Sequence, residues 1–487
     1  MVKSLGDKAF SSSLWSLLGS WIGRLIGLIS MMILARLLVP DDYGLVAIAQ
    51  IVVMLFQIVL ADGTESYLIR KSDITQDDYN TAWTIRLIIA IFISYCVFFG
   101  RFFISEFLNE PRLVDILTVL SVSNLFFGFT NIGVIKLKKA LSYKPIFKLQ
   151  VVQKIAGFIT SITIAFQYGT YWALILGIVA VSLSEVGMSY VISNYRPKVT
   201  LINFKQQWHF TKWIFVGNFA SFFRNKFTQL LISKNMGAME LGKFSMAFQL
   251  TEMISTQLIN PILAPVYASY ASVRDNEKEL ATLFTKVCGI VSIIMLPLFS
   301  GLFILSEQVI STLLGSKWME IVDIFELVIF FVMAQTFIGL PSTLLTILGK
   351  VKLLAIINWV MISILIPSIV YVVYYQDLYH VVLTRMFIAV SFIFIFYVFL
   401  FKYLAVDKLL LFSAIARPVI SSGIMCCYVF SLKNFYEGSL LILFFEVLMG
   451  ALVYILMLLM LWKVTGRQNG GEEFILSKIS SILGAVK

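Results

Sequence analysis

Apolar runs of about twenty residues, each bounded by a short polar segment, follow one another along almost the whole chain, and that is the length a helix needs to cross the hydrocarbon core of a bilayer. About fourteen runs can be placed, near 11–35, 44–66, 82–104, 113–135, 147–167, 170–193, 209–232, 244–270, 284–306, 321–347, 353–375, 380–401, 412–431 and 439–462. Only 13% of the 487 residues are charged and 59% are hydrophobic, whereas soluble domains carry roughly 25% charged residues. No soluble core absorbs that much apolar surface. The fold class expected is an all-α polytopic membrane protein, and the first run is read as a retained span, because its apolar stretch is longer than that of a signal peptide and no small-residue cleavage motif follows.

The net charge of +11 raises the question of nucleic acid. The basic residues instead sit in short clusters between apolar runs, so no nucleic-acid partner is expected. Of 38 lysines and arginines, 24 fall in one alternating set of segments, which includes both termini, and seven in the other set. Lysine and arginine are enriched on the cytoplasmic side of membrane proteins, so both termini are placed in the cytoplasm. Cys96, Cys288, Cys426 and Cys427 all lie inside apolar runs, and His209 and His380 are far apart. No disulfide framework, metal-ligand set, catalytic constellation or nucleotide-binding loop emerges, and no cofactor is expected.

The first run carries Arg24 near its middle, where a charge costs at least ~2.5 kcal/mol unless it faces a cavity or a partner. Ser13, Ser16, Ser20, Arg24 and Gly27 recur three or four residues apart, which puts them on one helix face opposite Leu, Ile and Trp. Sliding the chain by 198 residues aligns Trp15 with Trp213, Gly19 with Gly217, Arg36 with Lys234, Gly44 with Gly242 and Ala49 with Ala247. Six runs separate the two copies, so they share one orientation in the membrane. Parallel repeats of this kind place a transport site between two lobes. Pro261, Pro265, Pro297, Pro341 and Pro367 all fall in runs of the second half, which makes it the better candidate for bending.

Other ionisable residues inside runs include Arg86, Lys154, Glu185, Arg224, Lys226, Glu252, Arg385 and Glu446. Arg24, Arg224, Lys226, Lys154, Arg86 and Arg385 are candidates for lining a substrate cavity, although Arg86, Lys154 and Arg385 lie close enough to run ends to snorkel. Ser20, Ser221, Asn225, Gln249 and Glu252 make the polar stripes beside them, and Glu185, Glu252 and Glu446 are candidates for ion coupling. A cleft of this composition is cationic and suits an anionic substrate such as a diphosphate or an acidic sugar.

Several blocks together resemble the polysaccharide-transport family of lipid-linked oligosaccharide flippases, of the colanic-acid and teichuronic-acid exporter type. They are KAFSSSLWS, LARLLVPDDYGLVAIA (Leu34–Ala49), ADGTESYLIRKSDIT (Ala61–Thr75), NPILAPVYASYASVRDNEKEL (Asn260–Leu280) and LLGSKWMEIVDIFELV (Leu313–Val328), in the family's order over roughly residues 1–400. The larger superfamily also holds multidrug extruders and lipid II flippases. The resemblance implies an N-lobe of six helices over 1–200, a C-lobe of six over 201–405, and two accessory helices with a cytoplasmic tail over 406–487. It implies a bacterial inner membrane and alternating-access movement of an undecaprenyl-diphosphate-linked repeat unit to the periplasmic leaflet. Partners so implied are that lipid-linked oligosaccharide, membrane lipids, and polysaccharide polymerase or export proteins. Arg24 matches the family's cavity-lining basic residues best. Two other readings are open: a multidrug extruder on the same fold, whose cationic drugs favour acidic cavity residues, and a membrane glycosyltransferase or polymerase using Asp41 and Asp42. The outside loops are short for an acceptor site, and Asp in Pro-Asp-Asp-Tyr-Gly serves a turn and a helix cap.

Overall fold

A computed structural model describes residues 5–57, 63–71, 73–433, 440–466 and 471–473. Among the described residues the regular structure is helical throughout, with no strand. The chain divides into two compact units, Met1–Ser245 and Met246–Lys487. The first contains α1 (Leu5–Leu37), α2 (Pro40–Gln57), α3 (Gly63–Arg70), α4 (Gln76–Phe107), α5 (Leu113–Gly128), α6 (Val134–Lys139), α7 (Tyr143–Tyr168), α8 (Trp172–Ile192) and the start of α9 (Phe204–Ser272). The second contains the rest of α9, α10 (Glu277–Ile304), α11 (Ser306–Leu313), a 3-10 turn (Ser316–Ile321), α12 (Val322–Ile347), α13 (Val351–Tyr375), α14 (Leu378–Tyr403), α15 (Lys408–Lys433) and α16 (Leu440–Val464). The helical run of α9 is broken at Gly237, whose φ of 87° is strained for any residue with a Cβ.

Ten of the described helices are long and apolar enough to cross a bilayer, so the chain is a multi-pass membrane protein. Their outward faces remain apolar: Phe92, Tyr95, Phe99 and Phe103 lie along α4 with 56–71% of their surface exposed. Two apolar runs read as single spans are divided. The run at 44–66 is α2 and α3, with residues 58–62 outside the described residues. The run at 113–135 ends as helix at Gly128, after about 24 Å at 1.5 Å per residue. There the Asn131 side chain accepts the Gly133 N–H at 2.8 Å, an Asx turn that diverts the backbone while the apolar sequence continues into α6.

Contact registers fix the helix directions within the first unit. Trp15, Gly19 and Gly23 of α1 lie against Phe147, Gln150 and Lys154 of α7, so these two helices run parallel. Gly157 meets Val181 and Gly177 meets Ser161, making α7 and α8 an antiparallel hairpin. Ser123 pairs with Ser182 and the Asn131 N–H with Ser189 Oγ, so α5 runs parallel to α8. The ends of α2, α5 and α8 therefore gather with the starts of α4 and α7 at one end of this unit.

At the other end, Gly44 and Gly242 pack backbone on backbone. A Cβ on Gly44 would sit 1.7 Å from the Ala238 carbonyl oxygen, and one on Gly242 would sit 1.8 Å from the Pro40 carbonyl oxygen. Only glycine permits that approach.

Candidate functional site: a charged cavity in the first unit

The end where α4 begins is held by Asp78. Thr75 caps α4, its Oγ1 accepting the Asp78 N–H at 3.3 Å while the Asp78 carboxylate accepts the Thr75 N–H at 2.9 Å, a reciprocal capping box. The same carboxylate, fully buried, receives Lys71 Nζ at 2.8 and 2.9 Å and Asn203 Nδ2 at 2.8 Å. Its hydrogen bonds raise the Lys71 pKa. The extended segment after α8 lies along the first turns of α4. The N–H groups of Lys198, Thr200 and Asn203 donate to the side chains of Asn80, Thr84 and Thr81 at 3.0, 3.0 and 3.3 Å, and the Tyr195 hydroxyl bonds Asn80 as well. Side chains of α4 here satisfy backbone donors that have no helix or sheet of their own. Asn131, fully buried, completes the knot by donating to the Tyr195 carbonyl at 2.7 Å.

Next to this frame, and sharing Asn131 with it, is a cavity of about 600 Å³, within the 300–1,000 Å³ range of ligand sites. Its ionisable walls are Arg86 on α4, Lys138 on α6, Glu65 on α3 and Glu185 on α8. Gln57, Asn131, Gln150 and Gln153 add amides, and Thr64 and Thr130 add hydroxyls. Lys138 is ion-paired to Glu65. Arg86 lies 5.6 Å over the Phe127 ring, and Glu185 lines the same wall. Two basic and two acidic side chains therefore share this wall. Lys136 stands at the same end with Nζ 4.5 and 4.2 Å over the Tyr79 and Tyr195 rings, and burial lowers its pKa.

Of the residues singled out from sequence, Arg86 and Glu185 share this cavity. Arg24 and Ser20 are half-buried on α1 and are not among its lining residues. Lys154 is exposed on α7, its methylenes 3.7 and 3.8 Å from the position a Cβ on Gly23 of α1 would take. On α9, Asn225 is exposed and Lys226 half-buried, while the side chains of Ser221 and Arg224 lie outside the described residues. Gln249 and Glu252, also on α9, are exposed. Arg385 is buried on α14 with its guanidinium 4.6 Å over the Phe331 ring, packed inside the second unit rather than snorkelling outward. Glu446 is fully buried on α16 and accepts from Gln308 at 3.4 Å.

Sequence reasoning missed Glu65, Lys138 and the amides. Glu65 and Lys138 stand at the ends of apolar runs, where a charge meets headgroups as readily as a cavity. The available signal was Gln57, Gln150 and Gln153, amides set inside otherwise apolar stretches. Asp41 and Asp42 do not form a free carboxylate pair. Asp41 binds Arg112 at 2.6 Å, and Asp42 accepts the Val39 and Tyr171 N–H groups at 3.1 and 3.0 Å, so both are engaged in holding the turn.

Residues 33–323 match a family model described as polysaccharide biosynthesis protein. The chain is 22% identical over 329 residues to the lipopolysaccharide biosynthesis protein WzxC of Escherichia coli (strain K12), covering 66% of this chain and 67% of that one. It is 24% identical over 371 residues to an uncharacterized membrane protein in the cps region of Klebsiella pneumoniae, covering 75% and 76%. Among solved structures it is similar to lipid II flippase MurJ in an inward closed conformation, with a TM-score of 0.70 and 14% identity over 93% of this chain and 99% of that one. At that identity the likeness establishes the fold.

Proposed function

Because this chain belongs to the polysaccharide biosynthesis protein family, we propose that it is a flippase that moves a polyprenyl-diphosphate-linked oligosaccharide repeat unit across a bacterial cytoplasmic membrane by alternating access. A relative is named for lipopolysaccharide biosynthesis, and the fold is that of a protein named as a lipid II flippase. The observation that carries the reading is a cavity of about 600 Å³ lined by charges and amides among helices whose outer faces are apolar. A sugar diphosphate entering hydrocarbon loses its hydration, and a polar enclosure must replace it. Arg86 and Lys138 supply donors for phosphate oxygens, and the amides and carboxylates supply partners for sugar hydroxyls. Glu65 is the ion-pair partner of Lys138, so an arriving anion exchanges one partner of that lysine for another.

The finer architecture belongs to the same proposal: fourteen spans, an N-lobe over 1–200 and a C-lobe over 201–405 related by a parallel repeat, and accessory helices with their tail over 406–487. Two observations support the repeat. The first helical hairpin turns at Leu38–Val39, and the same shift of 198 residues carries Val39 to Gly237, where α9 breaks. The backbone contact of Gly44 with Ala238 also has its counterpart in that of Gly242 with Pro40, the same two pairs exchanged by that shift. With both termini cytoplasmic, the cavity lies at the cytoplasmic end of the first unit. Arg24, Lys154, Arg224, Lys226 and Arg385 are proposed as further cations along the path, with Ser20, Ser221, Asn225 and Gln249 beside them. Glu185, Glu252 and Glu446 are proposed as candidates for ion coupling.

The test is transport by the purified protein in liposomes, following exposure of a labelled polyprenyl-diphosphate oligosaccharide to an outer-leaflet probe. Arg86→Ala and Arg24→Ala should each lower the rate tenfold or more with insertion unchanged, since tenfold corresponds to about 1.4 kcal/mol, less than one charge-assisted hydrogen bond. Absence of transport by wild type for any lipid-linked sugar overturns the function. Wild-type rates in both variants would leave the function standing and remove the cationic site.

A further inference from the structure

The second unit holds a buried polar cluster that the transport reading does not use. Helices α10 and α15 run parallel: Gly289 lies against Ala414 and Gly301 against Met425, at 3.6 and 3.7 Å from where a glycine Cβ would stand. That register sets Ser292 level with Arg417 and one turn below Ser421. Arg417 is 4% exposed, in the third turn of α15, and its Nε donates to the Ser413 carbonyl at 3.0 Å. The Ser292 and Ser421 hydroxyls are fully buried, and neither makes a hydrogen bond among the described residues.

The chain leaves α16 at Val464, yet by Gly471 it is back inside this bundle. Gly471 sits backbone on backbone against α10: a Cβ there would lie 2.8 Å from the Ile290 nitrogen and 3.0 Å from the Gly289 carbonyl carbon. The next residue, Glu472, is 3% exposed and brings its carboxylate 3.3 Å from Arg417 Nη1. Tyr454 borders the cluster, its hydroxyl donating to the Ile293 carbonyl at 2.8 Å.

A guanidinium buried at this depth is costly without an anion. The anion comes from a segment that follows the last long helix and is seated through a glycine. The fit is incomplete. The 3.3 Å contact is an ion pair without a hydrogen bond, and Arg417 Nη1, both Glu472 oxygens and the Ser292 and Ser421 hydroxyls all lack hydrogen-bond partners among the described residues. A phosphate group presents more acceptor oxygens to the same guanidinium and hydroxyls. We propose that Arg417, Ser292 and Ser421 form an anion site that Glu472 of the chain's own C-terminal segment occupies, and that a phosphate group, on a lipid headgroup or free in solution, competes with that segment for it.

The full-length protein is purified in neutral detergent and probed with phosphatidylglycerol and, separately, with inorganic phosphate. Glu472→Gln removes the resident charge at constant shape. It should retain one additional phosphatidylglycerol by native mass spectrometry, bound at least tenfold tighter than to wild type, and the gain should vanish in Arg417→Gln/Glu472→Gln. Should inorganic phosphate rather than the lipid raise the melting temperature of Glu472→Gln, the site takes soluble phosphate. A gain that survives in the double variant, or no gain with either probe, overturns the proposal. A second measurement needs only the wild type: hydrogen exchange of residues 471–473 in nanodiscs should accelerate severalfold on replacing phosphatidylcholine by phosphatidylglycerol, or on adding inorganic phosphate. Exchange unchanged under both conditions refutes competition whatever the variants do.

Discussion

Replacing Gly44 by alanine tests the closest backbone contact in the first unit. The added methyl would sit 1.7 Å from the Ala238 oxygen, where a relaxed carbon–oxygen contact is about 3.3 Å, so the two backbones must part by roughly 1.5 Å. Overpacking of this kind costs about 1–3 kcal/mol. Alanine returns roughly 0.5–1 kcal/mol as the better helix former, leaving a net loss of up to about 2.5 kcal/mol. The reciprocal contact gives the experiment its discriminating arm. The separation that admits a methyl at Gly44 also admits one at Gly242, which otherwise meets the Pro40 oxygen at 1.8 Å. Gly44→Ala/Gly242→Ala should therefore cost no more than either single change, a coupling as large as the single effect. Thermal unfolding in detergent of wild type, both singles and the double measures it. Gly27→Ala is the control, because nothing lies within 4 Å of a Cβ there and the change should be neutral or stabilising. Additive losses, or a Gly44→Ala protein as stable as Gly27→Ala, would refute a shared seam.

Asp78→Asn should destabilise by about 2–3 kcal/mol in the same assay, below the 3–5 kcal/mol of a fully enclosed pair because Lys71 is partly exposed. Since the Lys71 pKa is raised by its hydrogen bonds to Asp78, the stability from this pair is fully present below the unfolded lysine value of about 10.4 and is lost as pH rises through the higher folded value. Between pH 7 and 9 the Asp78→Asn deficit should stay constant, and above about pH 11 it should shrink. In the cavity, Glu185→Gln leaves two cations against one carboxylate and should tighten pyrophosphate binding severalfold by calorimetry, whereas Arg86→Ala should weaken it; the opposite order would exclude this wall as the anion site.

The helices were legible because lipid imposes one simple rule, about twenty apolar residues per crossing, and the apolar runs of α4, α7 and α13 follow it. That rule fails where side-chain chemistry diverts an apolar chain. Nothing in the hydropathy of 113–135 marks the turn at Asn131, which depends on one amide accepting from Gly133. The site was harder to read for a related reason. Arg86 and Glu185 stand out in the sequence as charges within apolar runs. Glu65 and Lys138 lie on the short helices α3 and α6 at the ends of such runs, and these helices fold back to complete the cavity wall. A charge at a run end reads the same in sequence whether it meets headgroups or a cavity.

Charge balance separates the two cases physically. A headgroup-facing lysine needs no carboxylate, whereas a cation in an enclosed wall costs several kcal/mol without one. Lys138 has Glu65, and Arg86 and Glu185 line the same wall. Arg417 has Glu472, and the two are separated by more than fifty residues of sequence. A cavity wall that must survive between substrates is expected to be nearly neutral when empty and to become anion-binding as its internal carboxylates are displaced. On that argument the residues that tune affinity are Glu65 and Glu185 as much as Arg86. Lys138→Gln combined with Glu65→Gln should therefore disturb stability less than either change alone, because the pair then leaves together.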